Sequence, residues 1–288
     1  MPDFLRKEWV SMMKETDLDK ILASRHDNGA DFWATPDGEI GIEKPLSTLS
    51  ALIIMGELRV DKTHDALAGA AELVFRAIRD DGRVRITKTG SIYPCYMARA
   101  SVALCVSGYA GDKRITPLLE WLLANRFEDG GWRCNKFFFG HGPETDFSNP
   151  GVTLMALDAF RCAGMNEGAA DLDKAVETLL NHWTVRTPTG PCHYGIGTLF
   201  MQVEYPFLRY NLFYYVYVLS FYSKARKDAR FIEAFEALRR KLDDNNQLIV
   251  ERPHRKLENL DICRKGKPSE AATERYREIV RNMESQIS

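Results

Sequence analysis

No apolar stretch of this chain reaches the roughly 18 residues that a membrane-spanning helix requires. The densest, FLRYNLFYYVYVLSFYS, is broken by Arg209 and Asn211. Nor is there a Pro/Gly/Ser-rich linker or a low-complexity tract to divide the 288 residues, so the expectation is one domain spanning 1–288. Neither sign of charge is in excess. With 39 basic and 40 acidic residues the net charge is -1, which removes the global field that would favour nucleic acid or an anionic membrane. Cysteine is sparse and unpatterned: Cys95, Cys105, Cys134, Cys162, Cys192 and Cys263 show no disulfide framework and no tight CxxC spacing, and read as reduced thiols. The first twenty residues, MPDFLRKEWVSMMKETDLDK, lack the basic region and apolar run of a secretory signal. These absences lead to the expectation of a soluble, cytoplasmic protein with no nucleic-acid partner and no transmembrane segment. The remaining composition, 45% hydrophobic and 27% charged, is enough for a large core.

What the chain does have is a repeat. Asp37-Gly38, Asp81-Gly82 and Asp129-Gly130 punctuate it at intervals of about 44 and 48 residues, with weaker echoes at Thr189-Gly190 and at DDNNQ, Asp243 to Gln247. Each interval holds two helical patterns. STLSALIIMGEL precedes HDALAGAAELVFRAIR, and CYMARASVALCVSGY precedes ITPLLEWLLANRF. GVTLMALDAFRCAG precedes LDKAVETLLNHW, and FLRYNLFYYVYVLSFYS precedes ARFIEAFEALRRKL. The first helix of each pair is apolar nearly all round, as for a helix covered on both sides; the second has one wet face. This alternation predicts an all-α fold with an inner ring of buried helices, beginning near Leu46, Cys95, Pro150 and Pro206, inside an outer amphipathic ring. The divisions expected are a helical N-terminal segment (1–36), helical-hairpin repeats (37–246), and a connector with a closing helix (247–288), the helix running from Glu270 to Met283. In each Asp-Gly turn the glycine supplies the positive φ needed to leave the outer helix, and Trp132 seals the edge between neighbouring repeats.

ANRFEDGGW following an LLEWLL helix resembles the repeat of the squalene-hopene cyclase and protein prenyltransferase β-subunit superfamily, whose fold is an α/α toroid. The resemblance covers residues 37 to 285. SIYPCYMARASVALCVSGY, EDGGWRC and the terminal ERP with GKPS are similar to short prokaryotic proteins carrying prenyltransferase/squalene-oxidase repeats. The family's chemistry is only partly present. The Asp-x-Asp-Asp acid of class II cyclases is missing, the nearest strings being Asp17-Leu18-Asp19 and Asp171-Leu172-Asp173 on wet helices, and Asp80-Asp81-Gly82-Arg83-Val84 does not supply an Asp-Asp-x-x-Asp magnesium motif. Of the prenyltransferase zinc ligands Cys95 matches, while Tyr93 replaces the aspartate and Asn149 the histidine. Cys192-His193 is similar to the adjacent ligands of lanthionine synthetase cyclases. The resemblance therefore implies no required cofactor. Zinc held by Cys95, Cys134, Cys192 and His193 is the alternative, set against ordinary buried or loop cysteines.

Tyr210, Phe213, Tyr214, Tyr217 and Phe221 recur along one helical face, which either lines an aromatic cavity or packs against the outer helices. Arg99 and Arg209 interrupt apolar patterns and must meet an acid such as Asp158 or Glu204, carbonyls, or a ligand anion. FFFGHGPETD reads as a loop able to act as a lid or contact surface, and LIVERPHRKLENLDICRKGKPS as a basic connector over one end of the ring. The expected ligand cavity is thus built from Cys95, Arg99, Arg209, Tyr210, Phe213, Tyr214 and Tyr217. Its expected occupant is an apolar or amphiphilic small molecule, an isoprenoid among the candidates, with no assigned catalytic residue. A non-catalytic toroid that binds a protein or peptide partner and a zinc-dependent enzyme of thiol chemistry are the alternatives.

Overall fold

The computed structural model describes residues 17–41, 46–87, 93–134, 140–166 and 172–284. Residues 1–16 of the expected N-terminal helical segment, 137–139 of the FFFGHGPETD loop, and Asp171 lie outside the described residues. The fold is helical, and among the described residues only isolated β-bridges occur. None of the described helices is long and apolar enough to cross a membrane.

Among the described residues, nine helices of eight or more residues carry the architecture: α1 (Thr48–Glu57), α2 (Asp65–Ala77), α3 (Pro94–Leu104), α4 (Thr116–Ala124), α5 (Pro150–Cys162), α6 (Asp173–Val185), α7 (Leu212–Leu219), α8 (Ala229–Arg239) and α9 (Glu270–Glu284). Their starts follow local chemistry. Ser47, Asn211 and Asp228 cap α1, α7 and α8 with side-chain oxygens, while Pro94 and Pro150 occupy the first position of α3 and α5, where a missing N–H costs nothing. Every residue of α1 and of α7 is buried, whereas α8 buries only Phe231, Ala234 and Leu238, a single stripe at helical spacing. Each wholly or mostly buried helix packs on the next, α1 on α3, α3 on α5, and α5 on α7, while α2, α4, α6 and α8 each pack on the buried helix that precedes them. Helix α9 packs on α7 and returns to the first repeat, where Arg275 Nε donates to Glu57 Oε2 at 2.9 Å and Arg59 pairs with Glu274 at 2.6 Å. Asp17, buried in the N-terminal helical turn 17–23, accepts the Asp261 and Ile262 amides at 2.8 Å, which ties the start of the described chain to the closing connector.

The turns behave as their sequences require. Gly82 and Gly130 have φ of 78° and 92°, and each lies against the start of the next amphipathic helix. A Cβ on Gly82 would sit 2.0 Å from the Pro117 carbonyl oxygen, and one on Gly130 2.3 Å from Lys174 Cβ. Glycine is needed both for the backbone angle and for the close approach. The echoes at Gly190 and Asn246 also carry positive φ, 76° and 57°. Trp132 is fully buried, donates its indole N–H to the Leu122 carbonyl at 2.9 Å and lies 6.0 Å from the Phe160 ring, joining α4 to α5.

The aromatic run before and within α7 departs from the expectation. It is not one helix from Pro206: Asn211 accepts the Tyr214 amide at 3.1 Å and starts α7 at Leu212, leaving Arg209 and Tyr210 in a non-helical lead-in and Phe221 beyond the last turn. The five rings therefore do not share a helical face.

Candidate functional site

A cavity of about 470 Å³ opens where α3 and α5 begin and the lead-in to α7 passes. Helix α3 contributes Cys95, Tyr96 and Arg99, and α5 contributes Met155. The loop after α6 adds His193, Tyr194, Leu199 and Phe200, the lead-in Leu208, Arg209 and Tyr210, and the connector Arg252. Three guanidinium groups and an imidazole thus share a wall with four aromatic rings, and among the described residues that wall has no carboxylate. Such a surface is suited to an anion attached to an apolar or aromatic body.

The wall is held from behind. Arg99 Nη2 donates to Ser50 Oγ of α1 at 2.8 Å. Tyr210 packs on Phe200 at 4.8 Å and edge-on to Tyr194 at 5.6 Å. The buried His182 fixes the Tyr210 hydroxyl. Its Nε2 faces the Thr187 carbonyl at 3.2 Å and must carry the proton, so Nδ1 accepts from Tyr210 at 2.9 Å. Burial holds the His182 pKa below its ordinary 6.5. The folded protein therefore resists a proton that the unfolded chain takes up, and this contribution to stability is present above pH 6.5 and lost as the pH falls below it. The urea-measured stability difference between wild type and His182→Asn is accordingly expected to shrink between about pH 7 and about pH 5. A constant difference would show that the imidazole does not stay neutral on folding.

Of the expected cavity residues, Cys95, Arg99, Arg209 and Tyr210 are on the wall, and Phe213, Tyr214 and Tyr217 are not. These three are at most 2% exposed and pack around Phe207, whose centroid lies 4.9 Å, 5.0 Å and 4.8 Å from theirs respectively. The hydroxyls of Tyr214 and Tyr217 serve a buried ionic network near the C-terminal turns of α1 and α5. Tyr214 donates to Asp158 at 2.7 Å, Tyr217 donates to Glu278 at 2.8 Å, and Arg161 Nε donates to Asp158 at 2.7 Å while its guanidinium lies over Tyr217 and Phe221. Burying these acids and cations obliges the surrounding rings to supply hydroxyl donors and π faces, which is why they turn from the cavity. Of the two acids expected for the inner arginines, Glu204 pairs with Arg209 at 3.5 Å, while Asp158 goes to Arg161.

The candidate zinc ligands meet only in part. Cys134 and Cys192 are hydrogen-bonded through their side chains, and Cys95 lies near both. Asn149 Nδ2 donates to Cys192 Sγ at 3.3 Å. His193 faces Glu144 at 3.3 Å. Among the described residues no group of three or more His, Cys, Asp and Glu side chains is arranged to hold a metal ion. Burial pushes the Cys95 thiol up to about 11, which leaves it protonated at neutral pH.

Reasoning from sequence missed Tyr194, Phe200 and Arg252. Arg252 belongs to a basic connector that reads as solvated surface; its backbone N–H, donated with that of Glu251 to the Val203 carbonyl at 3.1 and 3.0 Å, ties it beside the wall. Compared with protein-family models and with curated proteins, the chain matches none.

Proposed function

We infer that this chain is an α/α toroid of the squalene-hopene cyclase and prenyltransferase β-subunit kind, with α1, α3, α5 and α7 as inner helices, and that its mouth binds an amphiphilic anion. Isoprenoid diphosphates and fatty acids are the leading candidates. The observation that carries the binding reading is the convergence of Arg99, Arg209 and Arg252 with four aromatic rings on one cavity whose described wall lacks a carboxylate. Each CH₂ buried there contributes roughly 0.8 kcal/mol, enough for a prenyl-sized tail to support about micromolar affinity after association costs. The missing acid motif and the protonated Cys95 favour binding over turnover, and the toroid reading is supported by the order in which buried and amphipathic helices pack.

Calorimetric titration with farnesyl diphosphate, geranylgeranyl diphosphate and long-chain fatty acids is expected to give saturable binding for at least one of them. No saturable binding by any would return the cavity to a packing defect and favour the protein-binding alternative. The zinc alternative rests on the proximity of Cys95, Cys134 and Cys192. Metal analysis after mild purification would support it by finding about one equivalent that Cys192→Ser loses, whereas the binding reading expects far less.

A further inference from the structure

Resting on the reading that the cavity takes an amphiphilic anion, we propose that Glu204 is the built-in counter-anion of the site. It holds Arg209 while the cavity is empty and yields it to the headgroup, taking up a proton as the ligand binds.

Glu204 is 2% exposed, while its partner Arg209 is 40% exposed at the side chain and stands on the cavity wall. The acid is the fixed member of the pair. Its neighbour Val203 donates to Glu251 Oε2 at 2.8 Å and accepts the Glu251 and Arg252 amides, and Tyr205 on its other side hydrogen-bonds Glu57. Among the described residues no donor hydrogen-bonds to Glu204 Oε1, and Arg209 Nε stays 3.5 Å away. The contact is electrostatic attraction without the hydrogen bond that would lock it, so an anion in the cavity can draw Arg209 off at small cost.

The titratable groups facing Glu204 are Arg209, Arg252 and, from the connector, the Cys263 thiol, which burial pushes up to about 12 and keeps neutral. Burial raises the Glu204 pKa, and the two guanidiniums hold it down. A headgroup on those guanidiniums removes that restraint and adds a like charge nearby, so the carboxylate gains proton affinity. By reciprocity the proton strengthens anion binding by the same factor, and affinity rises as pH falls.

The test uses 1-octanesulfonate, whose charge does not titrate, so any proton taken up goes to the protein. Calorimetry from about pH 5 to about pH 8, in buffers of different ionisation heat, is expected to show proton uptake on binding. Glu204→Gln is expected to bind roughly five- to tenfold tighter at neutral pH with uptake abolished. His193 also stands on the wall, so His193→Asn serves as the control, in which uptake is expected to persist. Uptake that survives in Glu204→Gln or vanishes in His193→Asn overturns the proposal, as does a Glu204→Gln protein that binds no more tightly. If Glu204→Gln does not fold, wild type against His193→Asn still decides. Failure of the sulfonate, the diphosphates and the fatty acids alike to bind wild type would bring down the underlying reading too; binding without linked protons brings down only the role of Glu204.

Discussion

Replacing Asp158 by alanine is expected to destabilise the protein by about 3–5 kcal/mol, the cost of breaking a buried ion pair by removing one partner. Asp158 is 2% exposed and uses both carboxylate oxygens, Oδ1 for Arg161 at 2.7 Å and Oδ2 for the Tyr214 hydroxyl at 2.7 Å. Its loss leaves the Arg161 guanidinium over the Tyr217 and Phe221 rings without its carboxylate, and the Tyr214 hydroxyl without its acceptor. Ring faces return only about 1–2 kcal/mol to a buried cation. The urea midpoint should fall with the slope unchanged. A second change, Arg161→Met, should restore part of the loss by removing the stranded charge. A loss below about 1 kcal/mol would mean that water reaches Arg161 and that the aromatic residues around it are not organised by the ion pair.

The second large effect concerns recognition. Arg99→Ala is expected to weaken binding of farnesyl diphosphate about ten- to a hundredfold, the equivalent of one charge-assisted hydrogen bond in a partly buried site. Binding of farnesol, which has the same tail and no charge, should change little. Arg99, the sixth residue of α3, stands on the wall and is positioned by Ser50 of α1, so the variant removes a headgroup contact without emptying the core. Equal loss for diphosphate and alcohol would show that Arg99 shapes the cavity and does not recognise charge.

The helices and the turns between them could be read from the chain because they are written locally. Gly82 and Gly130 declare their turns through the one residue that tolerates both the backbone angle and the close contact, and α9 begins at Glu270 as its periodicity requires. The site was less legible because its parts are set by pairings distant in sequence. Tyr214 and Tyr210 look equivalent in the sequence FLRYNLFYYVYVLSFYS. A single cap, Asn211, separates them, sending Tyr210 to the cavity wall and Tyr214 to Asp158 across 56 residues. Arg275 reaches Glu57 across 218 residues, a contact no local pattern encodes. Arg209 could be recognised because a cation among aromatics requires a partner, whereas Arg252, among other charges, raised no such demand.

The most direct measurement is the position of the ligand itself. A farnesyl diphosphate analogue carrying a benzophenone in its tail, irradiated with the protein and mapped by peptide mass spectrometry, is predicted to label Tyr96, Met155, Leu199 or Phe200 on the cavity wall. Excess unlabelled farnesyl diphosphate should suppress that labelling, and Arg99→Ala should reduce it. Adducts confined to the amphipathic helices α2, α4, α6 and α8, or labelling that unlabelled ligand does not compete away, would contradict the assignment of this cavity as the binding site.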